Sequence, residues 1–235
     1  LNRGLKQLGI GDGFAHRDIV WRRMALSDYY TNPRADVLPF VPDGLERVLD
    51  VGCASGHFGA SLKPTKAKEV WGIELNAEVA EHAKPRLDRV FVGDALEIVP
   101  TMPNANFDAV TFTDVLEHLA WPEEALRAVA PKLAPGGVVI ASLPNIRHWN
   151  ALWEIVMDGE FRYREEGIFD RTHLRFFTKK SIPDLFDRAG YRIERLEGIN
   201  PNPGRKFALL NTLFLNKFAD GRFLQYVVVA RPVTT

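Results

Sequence analysis

From Glu46 onward the chain alternates between two hydrophobic rhythms. Short runs in which almost every residue is apolar are followed by stretches whose apolar residues recur every three or four positions, the pattern of buried strands alternating with amphipathic helices. Strands are predicted at Glu46–Gly52, Glu69–Leu75, Arg89–Gly93, Phe107–Thr113 and Gly137–Leu143. Helices are predicted at His57–Lys63, at Ala77–Lys84 with a stop near Pro85, at Ala95–Val99 and at Pro122–Leu133. The last of these carries Leu126, Val129, Ala130 and Leu133 on one face, has proline in its first turn, and is followed by Gly136-Gly137. Parallel strands joined by right-handed helical crossovers form an open, doubly wound α/β sheet whose ligand crevice lies at the carboxyl ends of the strands.

Outside this stretch the rhythm differs. Residues 1–16 hold four glycines and no periodicity, and are expected to be an extension. Arg17–Tyr30 suits a helix ended by Asn32-Pro33, with a second short helix over Arg34–Phe40. After the fifth strand, Asn145–Phe177 is rich in aromatic residues and arginine, and is expected to fold over the crevice as a lid-like insertion. Lys179–Ala189 is predicted as a helix capped by Thr178 and stopped by Gly190, Tyr191–Glu197 as strand six, Arg205–Phe218 as a helix and Leu224–Ala230 as a final strand. The late helix is apolar on more than one face, through Phe207, Leu209, Leu210, Leu213, Phe214, Leu215 and Phe218. It lacks the strongly charged face of an interfacial helix, so core or homodimer packing is favoured over peripheral membrane contact, which stays open.

Composition narrows the picture. With 235 residues, 46% hydrophobic and 26% charged, the chain can bury a substantial core, and one domain with insertions is expected rather than two. Its parts are an extension (1–16), cap helices (17–45), a cofactor-binding half (46–144), the insertion (145–178) and a closing part of the sheet (179–235). Thirty basic and thirty acidic residues give no bulk signal for a nucleic-acid partner. Cys53 is the single cysteine, so no internal disulfide forms and a reducing, cytoplasmic setting is expected. No Cys/His cluster has zinc spacing, and no metal-ligand set is legible. No run approaches the ~18 apolar residues of a transmembrane helix. The chain begins at Leu1 rather than Met, so its native start is expected upstream and targeting signals there are unread.

Candidate chemistry centres on Val48–Gly59, a buried strand that breaks into a glycine-containing loop and then a helix. Gly52 and Gly56 let backbone approach a ligand, and the helix offers free N–H groups. A dinucleotide fingerprint would need glycine at 52, 54 and 57, where the chain has Gly52, Ala54 and His57. The pattern D-x-G-x-x-x-G from Asp50 to Gly56 instead resembles the first motif of the class I S-adenosylmethionine-dependent methyltransferases, which often have a further glycine where this chain has Ala54. The resemblance implies a Rossmann-like, mostly parallel seven-stranded sheet, helices on both faces, with the last strand antiparallel between the fifth and sixth. It also implies S-adenosylmethionine as cofactor and S-adenosylhomocysteine as product.

Glu74 ends strand two, 22 residues after Gly52, where a carboxylate can accept from both ribose hydroxyls, with Leu75 beside it. By the same resemblance Cys53 belongs to the loop, Asp50 orders it and holds the methionine amino end, and Asp94 with the Ala95 N–H meets adenine. Asp114 lies where sulfonium and acceptor meet. Arg34, just after Tyr29 and Tyr30, suits the methionine carboxylate; the competing reading is a surface arginine beside packing tyrosines. For a hydroxyl acceptor the proton must leave as the methyl moves in line, and His118, His148 and His173 are the candidate bases, each with an alternative as a structural histidine.

Tyr29-Tyr30 with Arg34, Leu143–Trp149 and Gly167–Thr178 resemble a bacterial subgroup associated with surface polysaccharides and other glycans. That implies a small-molecule or glycan acceptor and O-methylation of a sugar hydroxyl. Aromatic rings that stack on sugar faces and arginines that bind phosphate or carboxylate are both plentiful in the insertion. N-methylation, a non-catalytic cofactor-binding module and a nicotinamide dehydrogenase are the competing readings.

Overall fold

A computed structural model describes residues 32–201 and 205–233. The expected helix at 17–30, with Tyr29 and Tyr30, lies outside the described residues. Seven strands, β1 (Leu45–Val51), β2 (Ala67–Glu74), β3 (Arg89–Val92), β4 (Phe107–Thr113), β5 (Leu133–Pro144), β6 (Tyr191–Pro201) and β7 (Phe223–Pro232), form one sheet in the order β3-β2-β1-β4-β5-β7-β6. The first five run parallel, and β7 pairs antiparallel with both β5 and β6. The crossover helices are α1 (His57–Leu62), α2 (Ala77–Ala83), α3 (Ala95–Ile98) and α4 (Pro122–Val129); α5 (Trp149–Val156), α6 (Ser181–Arg188) and α7 (Arg205–Leu213) follow.

The continuous apolar runs are explained by burial of both sheet faces. On one face Leu49, Val51, Val110, Phe112, Val139, Ala141, Leu143, Tyr226 and Val228 meet α4 and α6; on the other Val48, Ala109, Val138, Ile140, Val227 and Val229 meet α1. Neighbours along each strand therefore belong to opposite cores, which excludes the polar alternation of a one-sided sheet.

The structure corrects several boundaries. Arg34–Phe40 is a turn followed by a 3-10 turn at Leu38–Phe40, because Arg34 is left-handed at φ 46° and Pro39 interrupts the segment. α4 stops at Val129, since Pro131 lies in the 3-10 turn Ala130–Lys132, and Leu133 opens β5 instead. α6 starts at Ser181; Thr178 still receives the Ser181 N–H on Oγ1 at 3.1 Å, and Gly190 terminates the helix at φ 82°. α7 ends at Leu213 because Leu215 and Asn216 turn left-handed. The insertion holds a helix, α5, that the sequence reading did not separate from its surroundings.

The turn after β1 is fixed by backbone geometry. The Gly52 and Cys53 amides donate to the Ile73 carbonyl at 2.8 and 2.9 Å, and Gly52, Ala54 and Gly56 all take positive φ. Ala54, at φ 48°, is the residue for which that conformation is costly. Cys53 nests on β2 at Gly72, where an added Cβ would lie 2.5 Å from the Cys53 sulfur and 2.7 Å from Leu87 Cδ1.

Ala54→Gly is expected to stabilise the fold by about 0.5–1 kcal/mol, relief of the left-handed alanine exceeding the added unfolded-chain entropy. Gly72→Ala is expected to destabilise it by about 1–3 kcal/mol through overpacking against Cys53 and Leu87. Urea unfolding of both variants beside wild type measures the two signs.

Candidate functional site

All five parallel strands end on one side, and most of the sequence-predicted residues that the structure describes collect there; Tyr30 lies outside the described residues. Asp50, at the end of β1, is fully buried; Oδ1 accepts from Thr111 Oγ1 at 2.7 Å, and among the described residues Oδ2 has no hydrogen-bond partner. Burial pushes its carboxyl up to about 7, the Thr111 hydrogen bond opposing and the nearby Glu74 charge adding. Glu74, at the end of β2, accepts the Ala54 amide at 3.0 Å on one oxygen and the Asn76 amide at 2.9 Å on the other. Its pKa is also raised by burial, against those backbone bonds. Glu74 thus ties the β1 loop to the start of α2 while each oxygen keeps a second lone-pair site for a ligand hydroxyl.

Beside Glu74, Leu75 is 69% exposed, an apolar surface left open at the crevice. Asp94 is exposed and caps α3, accepting the Leu96 amide at 2.8 Å, with Ala95 opening the helix. Cys53 is buried and its thiol pKa is raised by burial and by Asp50 and Glu74, so it contributes backbone and shape. A side chain at Gly52 would strike Val115, placing its Cβ 2.5 Å from Cγ2. The set fits S-adenosylmethionine. The unpartnered Asp50 oxygen suits an ammonium, Glu74 suits vicinal hydroxyls, and Leu75 suits a planar base.

Arg34 is 7% exposed and spans several elements. Its guanidinium bonds Asp114 Oδ2, Asp36 Oδ1 at 3.1 Å, Ser142 Oγ at 3.3 Å and Gln225 Oε1 at 3.0 Å. Asp114, left-handed at φ 57°, also accepts from Ser142 Oγ at 2.9 Å and Gln225 Nε2 at 2.8 Å. Arg34 is therefore an internal latch between the segment before β1 and the ends of β4, β5 and β7, rather than a surface arginine.

The insertion docks on the loop after β4. The Leu174 and Arg175 amides both donate to the Glu117 carbonyl, at 2.8 and 3.0 Å, which brings His173 to His118 with ring centroids 4.8 Å apart. Thr172 Oγ1 donates its one proton to Asp170 Oδ1 at 2.6 Å, so at 3.0 Å from His118 Nδ1 it accepts from that nitrogen. His173 Nδ1 donates to the Ile168 carbonyl at 3.0 Å. Both rings are thereby held as Nδ1–H tautomers with Nε2 lone pairs available. The His118 pKa is lowered, by burial first and by His173 second.

Glu117 is 1% exposed, its pKa is raised by burial and by Asp114, and among the described residues its Oε2 has no hydrogen-bond partner. Sequence spacing offered no metal-ligand set, whereas the fold puts one donor atom from each of Glu117, His118 and His173 within 4.8 Å of the others. His148 stands apart. It is buried before α5, its Nε2 is unpartnered among the described residues, and burial alone lowers its pKa. Thr111, Ser142, Gln225, Glu117, Asp170 and Thr172 were missed by the sequence reading; Glu117, next to His118, and Asp170 and Thr172, within three residues of His173, left a local signal.

Among the described residues no helix is long and apolar enough to cross a membrane. A family model described as a methyltransferase domain matches residues 21–196. Curated relatives include the ubiquinone biosynthesis O-methyltransferase of Shewanella halifaxensis, 28% identical over 165 residues that make up 67% of this chain and 68% of that protein. That of Chromobacterium violaceum is 29% identical over 174 residues, 71% of this chain and 73% of that one. Among solved structures, a SAM-dependent methyltransferase from Archaeoglobus fulgidus superposes with a TM-score of 0.59 at 19% identity, covering 91% of this chain and 93% of its own. One from Aquifex aeolicus gives 0.58 at 15% identity, covering 92% and 98%. These likenesses show a shared fold, and the family match extends over three quarters of the sequence, so the chain belongs to the methyltransferase-domain family and is an S-adenosylmethionine-dependent methyltransferase.

Proposed function

We propose that the chain is an O-methyltransferase that moves the methyl group of S-adenosylmethionine onto a ring-borne hydroxyl, with a sugar or glycan intermediate as acceptor, working as one domain in the cytoplasm. The observation that carries this reading is the pair of oriented imidazoles: His118 and His173 lie edge to face with 4.8 Å between centroids, each Nδ1 held by a group of the insertion, where the insertion meets the loop that follows Asp114. Alcohols need help losing a proton during methyl transfer, and amines need less.

In this reading Asp50 holds the methionine ammonium, Glu74 the ribose, and Asp94 with the Ala95 amide the adenine, while Leu75, Cys53, Gly52 and Gly56 shape the cavity. Arg34 exchanges Asp114 for the methionine carboxylate, and Tyr30, outside the described residues, is assigned to cofactor binding by sequence resemblance alone. Phe161, Tyr163, Phe169 and Phe176 form an edge-to-face cluster in the insertion, 4.7 to 5.5 Å between centroids, that supports a ring-bearing acceptor. A phenolic ring is the second reading, favoured by relatives named for ubiquinone biosynthesis. Leu213, Phe214 and Leu215, 68%, 52% and 81% exposed, are the surface that a homodimer or membrane contact would use.

Methyl transfer from labelled cofactor to panels of sugars, sugar nucleotides, phenols and amines tests the reaction. O-methylated sugar is expected, and transfer to amines alone overturns it. His118→Ala and His173→Ala are each expected to lower turnover by about 10²-fold or more, and His148→Asn to leave it within a few-fold.

Asp50 gives a pH-dependent prediction. Its folded pKa lies above the ordinary carboxylate value, so the folded state binds the proton more tightly, and that stability fades as pH rises from ~4 toward ~7. Asp50→Asn, which keeps an acceptor for Thr111 and cannot ionise, is expected to gain on wild type across this window, by a few degrees in Tm at pH 8 without cofactor. Calorimetry should show weaker S-adenosylmethionine binding by the same variant.

A further inference from the structure

We propose that Glu117, His118 and His173 form a binding site for one divalent first-row transition cation, such as Mn²⁺, Co²⁺ or Zn²⁺. One donor atom from each residue lies within 4.8 Å of the other two. Ligands sharing an ion at bonds of ~2.1 Å sit roughly 3–3.4 Å apart, so closure needs side-chain adjustment of about 1 Å and no backbone rearrangement.

Two further observations point to a cation. The Glu117 side chain is almost wholly buried at 1% exposure, yet among the described residues Oε2 has no hydrogen-bond partner, and a buried carboxylate oxygen without a donor calls for a positive group. Both histidines are also held as metal-binding histidines are. Each Nδ1–H is spent on a fixed acceptor, Thr172 Oγ1 backed by Asp170 for His118 and the Ile168 carbonyl for His173. Among the described residues neither Nε2 accepts a hydrogen bond, which leaves both lone pairs to a ligand.

Two imidazole nitrogens and one carboxylate oxygen are a donor set for borderline cations, in contrast to the all-oxygen cages of calcium or magnesium. Three protein ligands leave coordination positions open. The proposal rests on the hydroxyl-acceptor reading above and refines it: the acceptor oxygen takes an open position, its pKa falls, and its proton passes to solvent, so the two imidazoles act as ligands instead of as free bases. An acceptor with two adjacent oxygens, as on a sugar ring or a catechol, would fill two positions at once.

The test is titration of the chelator-treated full chain with Co²⁺, followed by its visible d–d absorption, and with Mn²⁺ by calorimetry. One equivalent is expected to bind wild type, with affinity reduced about ten-fold or more in Glu117→Gln and in His173→Asn. Binding of S-adenosylhomocysteine by the same samples should stay within about two-fold, which certifies their folding. Glu117→Gln is decisive, since a carboxyl that is merely neutral and buried tolerates this isosteric change. No stoichiometric binding by wild type, or wild-type affinity in both variants, overturns the site and leaves the O-methyltransferase reading standing. One equivalent of Co²⁺ bound by a protein that methylates only amines would keep the site and overturn the hydroxyl acceptor.

Discussion

Buried carboxyl groups at one edge of the sheet are the constraint on which the site depends. Parallel strands deliver their carboxyl ends to the same side, and this chain places Asp50, Glu74 and, just past β4, Glu117 there, each with its pKa raised chiefly by loss of water. Backbone amides relieve Glu74 and a threonine hydroxyl relieves one oxygen of Asp50, but such dipoles do not replace a full positive charge. A methyl donor with a sulfonium and an ammonium is electrostatically matched to this edge. Its product has lost the sulfonium charge and is matched less well, so one charge distribution favours both capture of the donor and release of what remains.

The donor side and the acceptor side are built differently. The turn at Gly52–Gly56 is enclosed by β2, α1 and α2, and its conformation is dictated by backbone hydrogen bonds and close packing at Gly72. The insertion rests on fewer anchors. Asn145 donates to the Asp220 and Phe223 carbonyls at 3.0 and 2.9 Å, Arg147 pairs with Asp220 at 2.7 Å, and the Glu117 carbonyl accepts two amides. Removal of a few polar contacts would loosen the acceptor side while both hydrophobic cores stayed intact.

Much of the sheet and of the turn after β1 was legible in the sequence because their signals are local. Apolar runs marked the strands, and Asp50, Gly52, Gly56 and Glu74 recur at intervals set by a strand, a turn, a helix and a strand. Boundaries shifted where a proline or a left-handed residue overrode periodicity, as at Pro131 and at Leu215-Asn216. The acceptor side was hidden for a different reason. Glu117 and His118 lie more than fifty residues from His173, Arg34 is eighty from Asp114, and Gln225 is further still. Those neighbours are created by strand order and by two amides meeting one carbonyl, and neither leaves a spacing to read.

The insertion leaves the sheet at Asn145 and returns at Phe177, and these two residues pair with each other. The thirty-odd residues between them therefore form a closed excursion whose entrance and exit are adjacent, and loop-closure entropy grows only slowly with length. Such a segment can be lengthened, shortened or exchanged in evolution without changing the register of any strand. The segment proposed above to meet the acceptor is thus a replaceable cassette, separable from the half of the sheet that carries the turn after β1.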